Sequence, residues 1–295
     1  MTLPAAVEQC LVGHSGVVVV SDEQVIERGT GAATASLARV RLVVRDPDGA
    51  ECPMTVVRKT LRPLSTGRHA FGSEDPRHWA YWRREAEAYS SSLLPRGPGL
   101  RAPRCFGVVD NDIWLEDVSG TAPTAEEAVQ SLAGWQLGYD AGLDRPWMAR
   151  DQLGRRLEVS DLDWGLVDAD ARALRLWEGR STYYEVLTEL PMVLSHGDYS
   201  LGNLVSRGAD VVALDWATFG WEPLGFDLAH LGLSSGQDPR PAYQASTSRW
   251  TEDRVAAGFT AAVAIIGSSR LHWMLSAGVE VPSWYVDFLW EYRPK

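Results

Sequence analysis

Lysine is almost missing from this chain. Of its 28 basic residues only Lys59 and Lys295 are lysines, and the second is the last residue, so one internal lysine stands out against a background of arginine. Cysteine is scarce as well. Cys10, Cys52 and Cys105 are odd in number, far apart and without a Cys-x-x-Cys pair, which argues against a disulfide framework and leads us to expect reduced thiols in a cytoplasmic protein. Positive charge is in deficit: the net charge of -11 leaves no basic excess for broad nucleic-acid binding. Long apolar runs are absent, the longest near the end being residues 259–266, too short to span a bilayer. The opening MTLPAAVEQCLVG has no basic stretch ahead of its apolar residues, so no signal peptide is expected, and neither repeats nor low-complexity segments interrupt the chain.

What remains is 295 residues with 45% hydrophobic content, enough for one large domain or two modest ones. The first third reads as strands. Residues 17–20 and 24–28 are β-prone on either side of Ser21-Asp22-Glu23, as in one bent strand; residues 36–44 alternate; residues 54–59 form a third strand ending in Arg58-Lys59. Between the first two lies Gly29-Thr30-Gly31-Ala32-Ala33-Thr34, whose small side chains would let backbone N–H groups approach an anion. Neighbours in a strand face opposite ways, so only one of Arg58 and Lys59 points inward, and the rarity of lysine favours Lys59.

Residues 61–74 are polar and Gly-rich, an exposed connection. Asp75-Pro76 predicts a helix start, with Trp79, Trp82, Ala86, Tyr89 and Leu93 as a buried stripe running to about Leu94 and Glu85 bordering it. Two short strands, 104–109 and 113–115, follow around Asp110-Asn111-Asp112. Thr124 and Glu127 form a capping box for a helix expected to stop at Gly142, residues 146–190 suggest two or three helices, and residues 216–225 read as a loop before a helix from Phe226. Two or more helices with a break near residues 278–282 complete the chain.

The densest chemistry lies in SHGDYSLGNLVSRGADVVALD, from Ser195 to Asp215. Asp198 is followed five places on by Asn203, then by a short hairpin turning at Arg207-Gly208 that delivers Asp215. A carboxylate can orient a hydroxyl and accept its proton, and a carboxamide and a second carboxylate are the hard oxygen ligands that Mg²⁺ prefers. His196, with no second His or Cys close by, reads as a ring that bonds nearby backbone.

The pattern His-x-Asp-x-x-x-x-Asn followed by a strand ending in Asp resembles the catalytic and metal loops of the aminoglycoside phosphotransferase and choline kinase family, protein-kinase relatives that phosphorylate small molecules. Asp215-Trp216-Ala217 occupies the place of Asp-Phe-Gly, whereas Gly197 stands where many protein kinases carry Arg and no Ala-Pro-Glu follows, so a phosphorylated activation loop is not expected. The resemblance implies an α+β, two-lobed protein-kinase-like fold: residues 1–118 form a nucleotide-binding lobe of antiparallel sheet plus one helix, and residues 119–295 a mostly helical lobe with the catalytic loop, metal ligands and acceptor site. It further implies Asp198 as the base, Asn203 and Asp215 as Mg²⁺ ligands, and Lys59 as the phosphate clamp oriented by Glu85. Gly29, Thr30, Gly31 and Ala32 would form the lid over the phosphates, and backbone groups from Glu116 to Val118 the adenine contact. Asp227 would bond back to the catalytic loop.

The implied reaction moves the γ-phosphoryl group of ATP, or GTP, to a hydroxyl of a small molecule, with an aminoglycoside-like or other natural-product antibiotic as the foremost acceptor. Sugars, nucleosides and amino alcohols are alternatives, as are nucleotidyl transfer and a catalytically idle nucleotide-binding module. Asp144, Asp161, Asp163, Asp168, Asp287 and Glu291 are candidate contacts for a cationic acceptor, and Trp147, Trp164, Trp284 and Trp290 for stacking. Neither nucleic acid nor membrane is an expected partner, and the sequence is silent on oligomeric state.

Overall fold

The computed structural model describes residues 2–12, 17–26, 32–46, 48–67, 69–139 and 143–294. Helix α1 (Ala5–Val12) leads into β1 (Val17–Val25), β2 (Thr34–Arg45) and β3 (Glu51–Leu61); helix α2 (Arg84–Ser90) and the two-residue β4 (Leu100–Arg101) precede β5 (Cys105–Val109) and β6 (Asp112–Glu116). Strands β1, β2, β3, β6 and β5 form one antiparallel sheet in that order. Alternation builds it: Ala38, Val40 and Leu42 of β2 are buried while Arg39 and Arg41 between them face outward. The bend expected in β1 is a register shift between Val20 and Asp22, where the polar Ser21-Asp22-Glu23 interrupts the valine run.

The sheet has two differently covered faces. On one, Val7 of α1 packs with Val40, Leu42, Val56, Phe106 and Trp114; on the other, Ala86 of α2 packs with Leu61, Ile113 and Leu115. Lys59 shares the second face with Leu61, whereas Arg58 lies on the first, over the Trp114 ring and paired with Glu23. The strand period thus separates the two neighbouring cations.

The second lobe is chiefly helical: α3 (Ala125–Leu137), β7 (Ala149–Arg150), α4 (Gln152–Glu158), α5 (Ala171–Glu178), α6 (Arg180–Thr188), β8 (Met192–Ser195), β9 (Leu204–Arg207), β10 (Asp210–Ala213), β11 (Gly220–Pro223), α7 (Phe226–Ser235), α8 (Arg240–Ser246), α9 (Glu252–Ser276) and α10 (Tyr285–Glu291). The capping box at Thr124 and Glu127 is present in both directions. Helix α9 is 25 residues, long and apolar enough to cross a membrane, but 67% of its most apolar window is buried inside the protein, where Phe259, Val263 and Leu271 join the main core. The sheets here are small, β4-β10-β9 and β7-β11-β8, and they frame the loops that carry Asp198 and Asp215.

Three expectations are corrected. The helix foreseen from Asp75 to about Leu94 is only α2; residues 74–83 make turns instead. Asp75 turns its carboxylate onto the amide of Arg77, the Trp82 amide donates to Ser73, and the Arg84 guanidinium takes the carbonyls of His78 and Trp79, so the bonds a helix would need are spent elsewhere. Helix α3 ends at Leu137 with Gly138 as its cap; Gly142, the expected stop, lies outside the described residues. The supposed loop at 216–225 contains β11, which pairs with β8 and with β7.

Candidate active site

Lys59, Glu85 and Asp215 meet between the lobes. Strand β3 carries Lys59 inward, the first turn of α2 presents Glu85, and Asp215 follows β10; Lys59 Nζ lies 2.5 Å from Glu85 Oε2 and 2.9 Å from Asp215 Oδ1. Burial works against the Lys59 ammonium, but the charges of Glu85 and Asp215 outweigh it and raise its pKa. Glu85 is pushed upward by the same burial and pulled back by Lys59, while the Lys59 charge holds Asp215 below the ordinary carboxylate range. Asp215 sits in the left-handed region at φ 61°, a conformation a non-glycine residue holds only where its surroundings enforce it.

The catalytic-loop candidate is held from several sides. Asp227, in the first turn of α7, accepts the amides of His196 at 2.8 Å and Gly197 at 3.0 Å, as expected of it. The His196 ring bonds backbone, as anticipated: Nε2 lies 2.8 Å from the Leu214 carbonyl and Nδ1 accepts from the Asp198 amide at 3.2 Å. Burial lowers its pKa, so a neutral ring with the proton on Nε2 satisfies both contacts and ties the Asp198 loop to the strand that ends at Asp215. Gly197 is at φ 86°, and a Cβ there would meet the Thr218 carbonyl oxygen at 2.4 Å. Backbone geometry and close approach therefore require glycine at the position where many protein kinases carry Arg.

Asp198 is the residue these contacts present to the cavity. Asn203 Nδ2 donates to its carboxylate at 3.1 Å and to its carbonyl at 2.9 Å, which leaves the Asn203 amide oxygen without a partner among the described residues. His230 Nδ1 lies 2.9 Å from Asp198 Oδ1, and Arg270 Nη2 approaches the same oxygen to 3.9 Å. Two lone pairs cannot face each other at 2.9 Å, so the His230 proton sits on Nδ1; burial lowers its pKa and keeps the ring neutral near pH 7, a donor rather than a counter-ion. Burial also opposes ionisation of Asp198, but the His230 hydrogen bond and the Arg270 charge outweigh it and hold the carboxyl well below its usual range.

Asp198 and Asp215 share a cavity of about 500 Å³ with Ala32, Trp79, Arg156, Trp177, His230 and Arg270. Of the expected lid, Ala32 lines this cavity, while Gly29, Thr30 and Gly31 lie outside the described residues. Leu64, from the connection after β3, lines it too. At the expected hinge, the Glu116 amide donates to the Arg104 carbonyl and its carboxylate pairs with Arg101 and Arg207, so neither group is free for a ligand; the backbone groups of Val118 have no partner among the described residues.

Residues 118–260 match the family model described as "Phosphotransferase enzyme family". Over that segment the chain is similar to this family. The match takes in Asp198, Asn203, Asp215 and Asp227, the residues on which the family resemblance was drawn. No curated protein matches the sequence. Among solved structures, an aminoglycoside 2'-phosphotransferase-IIIa in its GDP complex aligns with a TM-score of 0.55 at 14% identity, covering 93% of each chain. Choline kinase LicA from Streptococcus pneumoniae aligns at 0.53 with 12% identity and 92% of each chain, and macrolide 2'-phosphotransferase MphH from Brachybacterium faecium at 0.50 with 14% identity and 94% of each. These likenesses extend the protein-kinase-like fold over the sheet lobe that carries Lys59 and Glu85, outside the matched segment.

Four residues at the phosphotransferase cleft escaped the sequence reading. Arg84 is fully buried, and its guanidinium donates to the carbonyls of Trp79, His78, Trp147 and Ala217, joining the start of α2 to the loop after Asp215. His230 lies three residues beyond Asp227 on α7, so both turn to the same loop, a helical spacing that was available in the sequence. Arg156 on α4 and Arg270 on α9 reach the cavity from helices far apart in the chain, with no local signal. None of the six carboxylates proposed for a cationic acceptor lines the cavity, and the tryptophans that do are Trp79, Trp177 and Trp273 in place of those expected.

Proposed function

We propose that this protein transfers the γ-phosphoryl group of ATP or GTP to a hydroxyl of a small molecule, with residues 1–118 holding the nucleotide and residues 119–295 the acceptor. The observation that carries the reading is the convergence of Lys59, Glu85 and Asp215 within 2.9 Å contacts beside a cavity onto which Asp198 opens. Lys59, kept charged by its two carboxylates, would hold the nucleotide phosphates. Asp198, kept ionised by His230 and Arg270, would orient the acceptor hydroxyl and take its proton as the new P–O bond forms and the bond to the leaving diphosphate breaks. The donor set suits a hard cation: the amide oxygen of Asn203 and the Asp215 carboxylate would hold Mg²⁺, which when bound neutralises charge on the transferred group. The GDP in the aminoglycoside phosphotransferase complex is the reason to test GTP beside ATP.

Natural-product antibiotics remain the leading acceptor class by size, since a cavity of about 500 Å³ takes a ligand larger than choline. An idle binding module is the poorer reading because such a module has no use for a held base beside a metal-ligand pair. The test is product analysis by mass spectrometry of a mixed panel of antibiotics, sugars, nucleosides and amino alcohols with Mg²⁺ and ATP or GTP. Asp198→Asn should abolish acceptor phosphorylation while nucleotide affinity stays nearly intact; full turnover in that variant would sink the assignment, and pyrophosphate in place of the nucleoside diphosphate would point to nucleotidyl transfer.

A further inference from the structure

We infer that the acceptor carries an anionic group, a carboxylate or a phosphate, that docks on Arg156 against the aromatic wall of the cavity, and that a polycationic amino sugar is not the acceptor. The inference rests on the phosphotransfer reading of this same cleft and names the charge of what enters it. Among the described residues the lining holds two carboxylates, Asp198 and Asp215, and both are already engaged: Asp215 with Lys59, Asp198 with His230 and Arg270. No carboxylate is left over for an ammonium group.

Arg270 is engaged with Asp198 and His230, whereas Arg156 is in the opposite condition. The Arg156 guanidinium lies 4.4 Å from the centre of the Trp79 ring, makes no ion pair among the described residues, and has its Nε buried without a hydrogen-bond partner. The Glu222 and Asp198 carboxylates act on this charge only through space, with no direct ion pair, and its planar, forked donors match a carboxylate or phosphate. Burial lowers its pKa, which agrees with an under-compensated charge. Around it the wall is aromatic and aliphatic: Trp79 beneath, Trp177, Leu153 and Leu157 beside, and Ile265 and Ile266 from α9. A flat or apolar body ending in an anion satisfies this surface; a sugar bearing several ammonium groups would meet Arg156 and Arg270 as like charges.

Four probes with one aromatic body separate these cases: 2-naphthoate, 2-naphthyl phosphate, 2-naphthamide and 2-naphthylmethylammonium, titrated calorimetrically into the full chain without nucleotide. The expected result is that the carboxylate or the phosphate binds about tenfold or more tightly than the amide and the ammonium, as a charge-assisted hydrogen bond supplies. Which of the two anions leads identifies the group. Arg156→Gln should abolish the preference and Arg156→Lys restore part of it, and ADP with Mg²⁺ should leave anion binding in place. The inference is overturned if the ammonium binds as well as the anions, if the four do not differ or do not bind, if Arg156→Gln keeps the preference, or if ADP displaces the anion and so assigns it to the phosphate side. Should Arg156→Gln fail to fold, the ranking on the unmodified chain decides. Because these titrations contain no phosphoryl donor, a chain that phosphorylates nothing would sink the phosphotransfer reading without altering the ranking, and an active kinase preferring the ammonium would sink this inference alone.

Discussion

Replacing Arg84 with methionine, similar in length but without donors, should destabilise the protein far more than an ordinary surface change. The guanidinium donates to Trp79 O at 2.5 Å, Trp147 O and His78 O at 2.7 Å, and Ala217 O at 3.3 Å. His78 would keep the Tyr81 amide, so three carbonyls, those of Trp79, Trp147 and Ala217, lose their only partner among the described residues. At about 1–3 kcal/mol for each group cut off from water the gross loss would reach roughly 3–9 kcal/mol, but Trp79 and Ala217 border the cavity, where water can replace the lost donor and reduce the sum. The variant no longer has to desolvate a guanidinium, a cost visible in the Arg84 pKa, which burial lowers to about 10, so the net loss should fall near the lower end, about 3 kcal/mol. Urea unfolding followed by tryptophan fluorescence measures it: the midpoint should drop with the slope unchanged. A loss below about 1 kcal/mol would refute the argument that Arg84 holds the start of α2 against the loop after Asp215, because surface substitutions fall in that range.

Gly197→Ala should impair both folding and activity: it forces a left-handed φ on alanine and drives a Cβ to 2.4 Å from the Thr218 carbonyl oxygen, a penalty of about 1–3 kcal/mol for the backbone alone, and an unchanged unfolding midpoint would contradict it. The pH dependence tests Asp227, whose pKa burial raises from 3.8 to about 7 against the pull of two amide bonds. Between those values the folded chain holds a proton that the unfolded chain has lost, so this group's contribution to stability is full at low pH and declines as pH rises toward 7. The stability of the unmodified chain relative to Asp227→Asn should therefore shrink by on the order of 2 kcal/mol between about pH 5 and pH 7.5, measured by urea unfolding at each pH; a gap that widens with pH would reverse the sign.

Local patterns carried the fold as far as local physics governs it. Alternation specified β2, the capping box at Thr124 set the start of α3, and the near absence of lysine separated Lys59 from Arg58 before the strand's facing could be seen. The misread segments are those where a distant partner replaces the local bond. Residues 74–83 have a helical pattern of aromatics, but the side chain of Arg84 occupies the carbonyls that a helix would use. Strand β11 is rich in Gly, Trp and Pro and so resembles a loop, yet Gly220 is there because a Cβ would strike the backbone of Ala149 on the neighbouring strand at 2.0 Å. The acidic composition is likewise no guide to the charge of the cleft. A net charge of -11 is a sum over a surface, whereas the charge of the cleft is decided by which helices end there, and α4 and α9 bring Arg156 and Arg270 to Asp198 from more than a hundred residues apart. Solubility depends on the sum and selectivity on the local arrangement, so an acidic protein can set arginines in the wall of its cleft without conflict between the two.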